Sequence, residues 1–91
     1  MQYHWDSTKA AGNLSKHGVS FQEAVTVFDD PLFVIFADPD HSLREKRYII
    51  MGESSRKRLL VVTYTERPKG IRVISARRAT SKEREVYEEE I

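Results

Sequence analysis

Between Ser20 and Phe28 the apolar residues Phe21, Ala24, Val25 and Phe28 fall at i, i+3, i+4 and i+7, the stripe that one buried helix face requires. Ser20 and Glu23 form an S-x-x-E capping box, Val19 and Ala24 are placed for a hydrophobic staple, and Asp29, Asp30 and Pro31 end the segment. An earlier helix is predicted over Ser7 to His17, capped by Asp6 or Ser7 and closed by Lys16 and His17 before Gly18. A last helix opens on the box of Thr80 and Glu83 and runs to about Glu89, carrying Tyr87. Phe21, Phe28, Val25 and Val27 belong to the core or to a helix interface.

Elsewhere the period shortens to that of strands. Met1 to Trp5 alternates as a short edge strand, and Leu32 to Phe36 is an unbroken run of β-formers followed by a polar loop, Ala37 to Glu45. Lys46 to Met51 and Lys57 to Thr65 read as a hairpin around a turn from Gly52 to Arg56, with Leu59 to Val62 apolar on both faces. After a turn at Glu66 to Gly70, Ile71 to Arg78 alternates with strict period two. Ile71, Val73, Ser75 and Arg77 then share one face, and Arg72, Ile74, Ala76 and Arg78 the other. The order β-α-α-β-β-β-β-α predicts an α+β domain, with two N-terminal helices and one C-terminal helix packed on one antiparallel sheet. Residues 1–91 make one such domain.

Charge adds what periodicity cannot. The net charge of +1 conceals a division: residues 1–45 hold three Lys/Arg and seven Asp/Glu, net −4; residues 46–84 hold twelve and three, net +9; residues 85–91 hold four Glu, net −4. A basic segment on strands is the footprint of a surface for a polyanion, or equally a solvated hairpin. The absence of cysteine excludes disulfides, thiolate nucleophiles and zinc–cysteine sites. The polar N-terminus and the lack of any apolar run of about 20 residues lead us to expect a soluble cytoplasmic protein without a membrane partner.

The polar residues between these elements spell a longer pattern: Trp5-Asp6, Asn13, Lys16-His17-Gly18-Val19-Ser20-Phe21 and Val27-Phe28-Asp29-Asp30-Pro31. It continues through Asp38, His41, Glu45-Lys46-Arg47, Tyr64-Thr65-Glu66-Arg67 and Ile74-Ser75-Ala76-Arg77-Arg78-Ala79 to Glu83, Arg84 and Tyr87. This collinear pattern resembles the BrnT family of type II toxins from Trp5 to about Tyr87. The resemblance implies a RelE-like fold, cleavage of RNA and growth inhibition. It also implies neutralisation by a BrnA-type antitoxin, whose complex with the toxin binds operator DNA.

Metal-free RNA cleavage by the substrate's own 2′-hydroxyl needs a base, an acid and cations for the developing charge, and no cofactor. Arg77, Glu66, Arg67, His17 and Lys16 are the candidate catalytic residues, and Arg72, Arg78, Arg47 and Trp5 the candidate RNA contacts. Arg77 and Arg78 point to opposite faces of a regular strand, so both cannot serve one site from there. Alternatively such arginines are solvated or paired with Glu66, Glu83 or Glu88. His17, an imidazole, is a candidate acid or base and equally a helix-capping cation, and Lys16 shares that double reading. Trp5 is either a base-stacking platform or a core-closing aromatic. His4 on its edge strand and His41 have weaker claims, and Asp38, Asp40 and His41 read as a turn rather than a metal site. The leading expectation is an endoribonuclease. The alternatives are a non-catalytic nucleic-acid-binding regulator on the same basic sheet and a structural subunit that assembles with a partner.

Overall fold

The computed structural model describes residues 2–38 and 45–89, so Asp40 and His41 lie outside the described residues. In chain order the elements are β1 (Tyr3–His4), α1 (Ser7–His17), α2 (Phe21–Ala24), a 3-10 helix (Val25–Asp29), β2 (Val34–Ala37), β3 (Arg47–Glu53), β4 (Leu59–Arg67), β5 (Gly70–Arg78) and α3 (Ser81–Glu89). The strands form one sheet ordered β1-β5-β4-β3-β2. β2 to β5 pair antiparallel, but β1 runs parallel to β5, with Tyr3 opposite Ile71 and His4 opposite Arg72. The sheet is therefore mixed, antiparallel as expected from β2 to β5 but with a parallel pair at β1. So long a connection separates β1 from β5 that no hairpin dictates their relative direction. Gly70 makes the junction possible: its φ is +143°, a Cβ there would lie 2.1 Å from the Gln2 carbonyl oxygen, and that oxygen accepts the Ile71 N–H at 2.9 Å.

α1 keeps its predicted span, with Asp6 Oδ1 accepting the Lys9 N–H at 2.9 Å. The second helix is α-helical only over Phe21–Ala24 and tightens to 3-10 through Asp29, although Ser20 Oγ still accepts the Glu23 N–H at 3.0 Å. Two contacts hold the tightened turn to the sheet. Thr26 Oγ1 donates to the Glu23 carbonyl at 2.6 Å and accepts the Ser55 N–H at 2.8 Å. Gly52 passes so close beneath that a Cβ would meet the Val27 carbonyl oxygen at 3.1 Å. Gly52 thus belongs to β3 and not to the hairpin turn expected over Gly52 to Arg56. The turn is made two residues later, where Ser54 N–H donates to Arg58 O at 2.8 Å and Lys57 takes φ 65°.

The sheet has two unlike faces. On the first, α1, α2 and the 3-10 helix bury a core of Val19, Phe21, Val27, Ile50, Leu60 and Val62. On the second, α3 covers one end only, seating Tyr87 against Met51, Leu59 and Val61. Tyr87 donates its hydroxyl to Asp30 Oδ2 at 2.5 Å, which ties α3 to the loop before β2. No helix among the described residues is long and apolar enough to cross a membrane.

A bulge in β5 changes which arginines share a face. Thr63 pairs with Ser75 and Tyr64 with Val73, so Ile74 has no partner in β4. Buried Ile71, Val73 and Ala76 consequently all face the first core, and Arg72, Ser75 and Arg77 face the other way. Strict period two had set Arg72 and Arg77 on opposite faces. The extra residue brings them to the same one.

Asn13 closes the β5 edge beyond β1. Its side chain donates to the Ala76 carbonyl at 2.8 Å and the Val19 carbonyl at 3.0 Å, and accepts the Ala76 N–H at 3.1 Å. A buried amide thus replaces the neighbouring strand that β5 lacks there.

Candidate nucleic-acid interface

Strand register sorts the second face into rows that run across the sheet. Val34, Met51, Val61 and Arg77 make the row beside α3; Phe36, Ile49, Thr63 and Ser75 make the next. The third consists of Arg47, Thr65, Arg72 and His4, contributed by β3, β4, β5 and β1 in turn. The face thus grades from apolar under α3, through hydroxyls, to cationic at the end away from α3. Thr65 is fully buried beneath its neighbours. Arg67, one pleat beyond Thr65 on the same face, donates Nε to Thr65 Oγ1 at 3.3 Å and Nη2 to Glu45 at 2.6 Å.

Arg47 and Arg72 are half-buried, and neither forms an ion pair among the described residues. Asp6 lies near enough for Arg72 to help lower its carboxyl pKa, behind the larger effect of the Lys9 N–H. Two guanidinium groups that flank Thr65 in one row of the sheet, without an ion pair among the described residues, are suited to phosphate oxygens. His4 extends the row and places an imidazole beside Arg72. On sequence alone His4 has only a weak claim, because no local signal announces that the first strand pairs with the last.

The other expected site residues are dispersed. Glu66 alternates with Thr65 and Arg67, so it faces the first side of the sheet, as does Arg78 beyond the bulge. Trp5 stands edge-on to Phe21 with ring centroids 6.0 Å apart and packs against the first core. Lys16 and His17 occupy the last turn of α1, next to Gly18, whose carbonyl accepts from Arg58 Nη2 at 3.1 Å. Arg58 immediately precedes β4, and Leu60 pairs with Arg78, so this is the opposite end of β5 from Arg72. Six residues of strand separate those ends, about 20 Å. Among the described residues no group of three His, Asp or Glu is arranged to hold a metal ion.

Arg77 shares the cationic face but is already engaged. Its Nη1 and Nη2 donate to the two carboxylate oxygens of Glu83 at 2.7 and 2.8 Å, and Glu83 also accepts the Thr80 N–H at 2.9 Å as the cap of α3. The Arg77 guanidinium, against the opposing effect of burial, holds the Glu83 carboxyl at about 2. Its folded value lies below the ordinary 4.5, so the stabilisation is fully present above that pH and is lost as pH falls towards about 2. Thermal melts of wild type and Glu83→Gln are therefore expected to differ at neutral pH and to converge across that acid window. Melting points separated by the same amount throughout would show that the pair does not stabilise the fold.

A family model described as "Ribonuclease toxin, BrnT, of type II toxin-antitoxin system" matches residues 5–83. Among solved structures, the crystal structure of the Brucella abortus ribonuclease toxin BrnT matches with a TM-score of 0.65 and 23% identity, covering 89% of this chain and 99% of that one. At that identity the likeness is one of fold. No match was found among curated proteins.

Proposed function

The chain belongs to the BrnT family of ribonuclease toxins of type II toxin-antitoxin systems, and from that premise we propose that it is a metal-independent endoribonuclease whose RNA site is the cationic end of the second sheet face. The observation that carries this reading is the row of Arg47, Thr65, Arg72 and His4, with Arg67 at its rim. Arg47 and Arg72 bind the scissile phosphate and stabilise the charge that builds on its equatorial oxygens. The 2′-hydroxyl of the substrate attacks that phosphorus, the 5′-oxygen leaves, and a 2′,3′-cyclic phosphate remains. One proton leaves the 2′-oxygen and one is delivered to the 5′-oxygen. His4 carries one of these transfers. Arg67 screens the incoming backbone, and Arg77 acts by holding α3 to the sheet. Growth inhibition follows from RNA cleavage, and a BrnA-type antitoxin relieves it in the cytoplasm.

Purified protein incubated with RNA in EDTA is expected to give fragments ending in 2′,3′-cyclic phosphate. The His4→Gln protein is expected to cleave more slowly while keeping its thermal midpoint. Intact RNA together with tight operator-DNA binding by the free protein would replace the enzyme reading with that of a regulator. A cleavage rate unchanged in His4→Gln would remove His4 from the mechanism.

A further inference from the structure

The two edges of the sheet are finished differently. The β5 edge is closed by β1 and by the Asn13 amide. The β2 edge has no such cover among the described residues, and it is apolar on both sides. Phe33, Ile35 and Phe36 are 43%, 44% and 40% exposed. The Asp38 N–H donates to Arg47 O at 2.9 Å, so alternation makes Phe36 and Val34 the other residues hydrogen-bonded to β3. The N–H and C=O groups of Ile35 and Ala37 therefore point outward, ready to pair with another strand.

Each side of this edge opens into a groove. On the second face, Phe36, Ile49, Met51, Val61 and Val86, together with Glu83, line a mostly apolar hollow of about 280 Å³ beneath α3. On the first face, a hollow of about 400 Å³ runs inward from Phe33 and Ile35 to the rings of Tyr3, Phe28 and Tyr64. These rings form one cluster, with Phe28 centred 5.5 Å from Tyr3 and 5.1 Å from Tyr64. Two carboxylates line the same hollow, Asp29 and Glu66, and among the described residues no Lys or Arg does. Neither acid is in an ion pair among the described residues. Aromatic faces and unpaired carboxylates around one cavity are complementary to a cationic side chain.

We propose that the antitoxin docks on this edge by adding a strand to β2, with an arginine or lysine in the hollow of Asp29 and Glu66 and apolar side chains in the groove under α3. The proposal rests on the toxin reading above and adds the place and chemistry of the partner. The docking segment alternates: the residue that faces Ile35 is cationic, and those on either side of it are apolar. A second copy of this chain fits worse. Val34–Ala37 carries no lysine or arginine, and pairing two β2 edges would bring together two acidic hollows with nothing to neutralise them. A strand beyond β2 lies two strand spacings from β3, about 10 Å from Arg47, so the body of the antitoxin stands beside the RNA face and obstructs it.

The test uses the intact toxin and the antitoxin identified by its rescue of growth on co-expression. Hydrogen exchange is expected to show the Ile35 and Ala37 amides fast in the free toxin and protected in the complex. Ile35→Lys, and separately Asp29→Asn combined with Glu66→Gln, are expected to weaken antitoxin binding at least about tenfold. Ile35→Lys leaves RNA cleavage by the free toxin and its thermal midpoint unchanged. An antitoxin that leaves β2 exchanging freely and binds both variants as tightly as wild type overturns the proposal. So does concentration-dependent self-association of the free toxin that Ile35→Lys abolishes, which would assign the edge to a second copy. Failure here is distinct from failure of the toxin reading, because a protein that neither cleaves RNA nor arrests growth fails before any antitoxin is added.

Discussion

Arg72→Ala is expected to slow RNA cleavage about 100- to 1,000-fold, the loss that follows removal of one preorganised donor from a developing oxyanion. The side chain is half-buried on a central position of the cationic row and makes no ion pair among the described residues, so the thermal midpoint should hardly move. Arg72→Lys should recover only part of the rate, since an ammonium cannot reproduce the planar fork of a guanidinium on two phosphate oxygens. Arg78→Ala supplies the contrast. It removes an equal charge six residues along the same strand but from the other face, and cleavage should stay within about twofold of wild type. Single-turnover rates on one defined RNA measure all three. Equal losses in Arg72→Ala and Arg78→Ala would mean that net charge, and not the row, governs activity.

The largest effect on stability is expected from Arg58→Ala. Glu23 is 6% exposed in α2, where Arg58 binds both its carboxylate oxygens and Ser54 Oγ donates to Oε2 at 2.7 Å. These hydrogen bonds, with Arg58 the largest contributor and burial opposing it, hold the Glu23 carboxyl below the usual carboxylate range. Removing the arginine leaves the buried carboxylate with only the Ser54 hydroxyl and the exposed Arg56 guanidinium 3.7 Å away, a change that costs about 3 kcal/mol. For a domain of this size that lowers the melting temperature by at least about 10 °C. The pH dependence follows from the direction of the shift. In wild type the contribution of Glu23 is complete above the ordinary carboxylate pKa and is lost as pH falls through its depressed folded value. In Arg58→Ala the part of that contribution supplied by the guanidinium is already gone, so acid weakens wild type more than the variant and the two melting curves approach each other. A gap that widens in acid would contradict this account of the pair.

Both results depend on contacts of different sequence range. α1 could be read from Asp6, the basic last turn and Gly18, because capping and helix periodicity are properties of residues three and four apart. The α3 box of Thr80 and Glu83 was equally local, and the structure forms both of its hydrogen bonds. The same local reading missed the tightening after Ala24, since what draws that turn in is the Ser54–Ser55 turn and Gly52 of a distant hairpin. It also placed Gly52 in the turn, where glycine is common, when the residue is needed for close approach of two backbones.

The candidate site lay further from reach. Arg47, Arg67 and Arg72 were visible as basic residues on strands, and their excess charge was visible as a segment. Their common face was not. The alternation of β5 is a local pattern, but the unpaired Ile74 that reverses it exists only relative to β4. His4 meets Arg72 only because β1 returns parallel to β5 across nearly the whole chain, which no short-range rule specifies. By itself, then, the sequence determined the elements, the capping, the absence of thiol chemistry and the family, because each is written in neighbouring residues or in the collinear pattern. The tertiary structure decided which cations share a face, that Glu66, Arg78, Lys16 and His17 stand apart from them, and which edge of the sheet is uncovered among the described residues. Those are properties of strand register and order, and register is settled by the packing of a whole face at once.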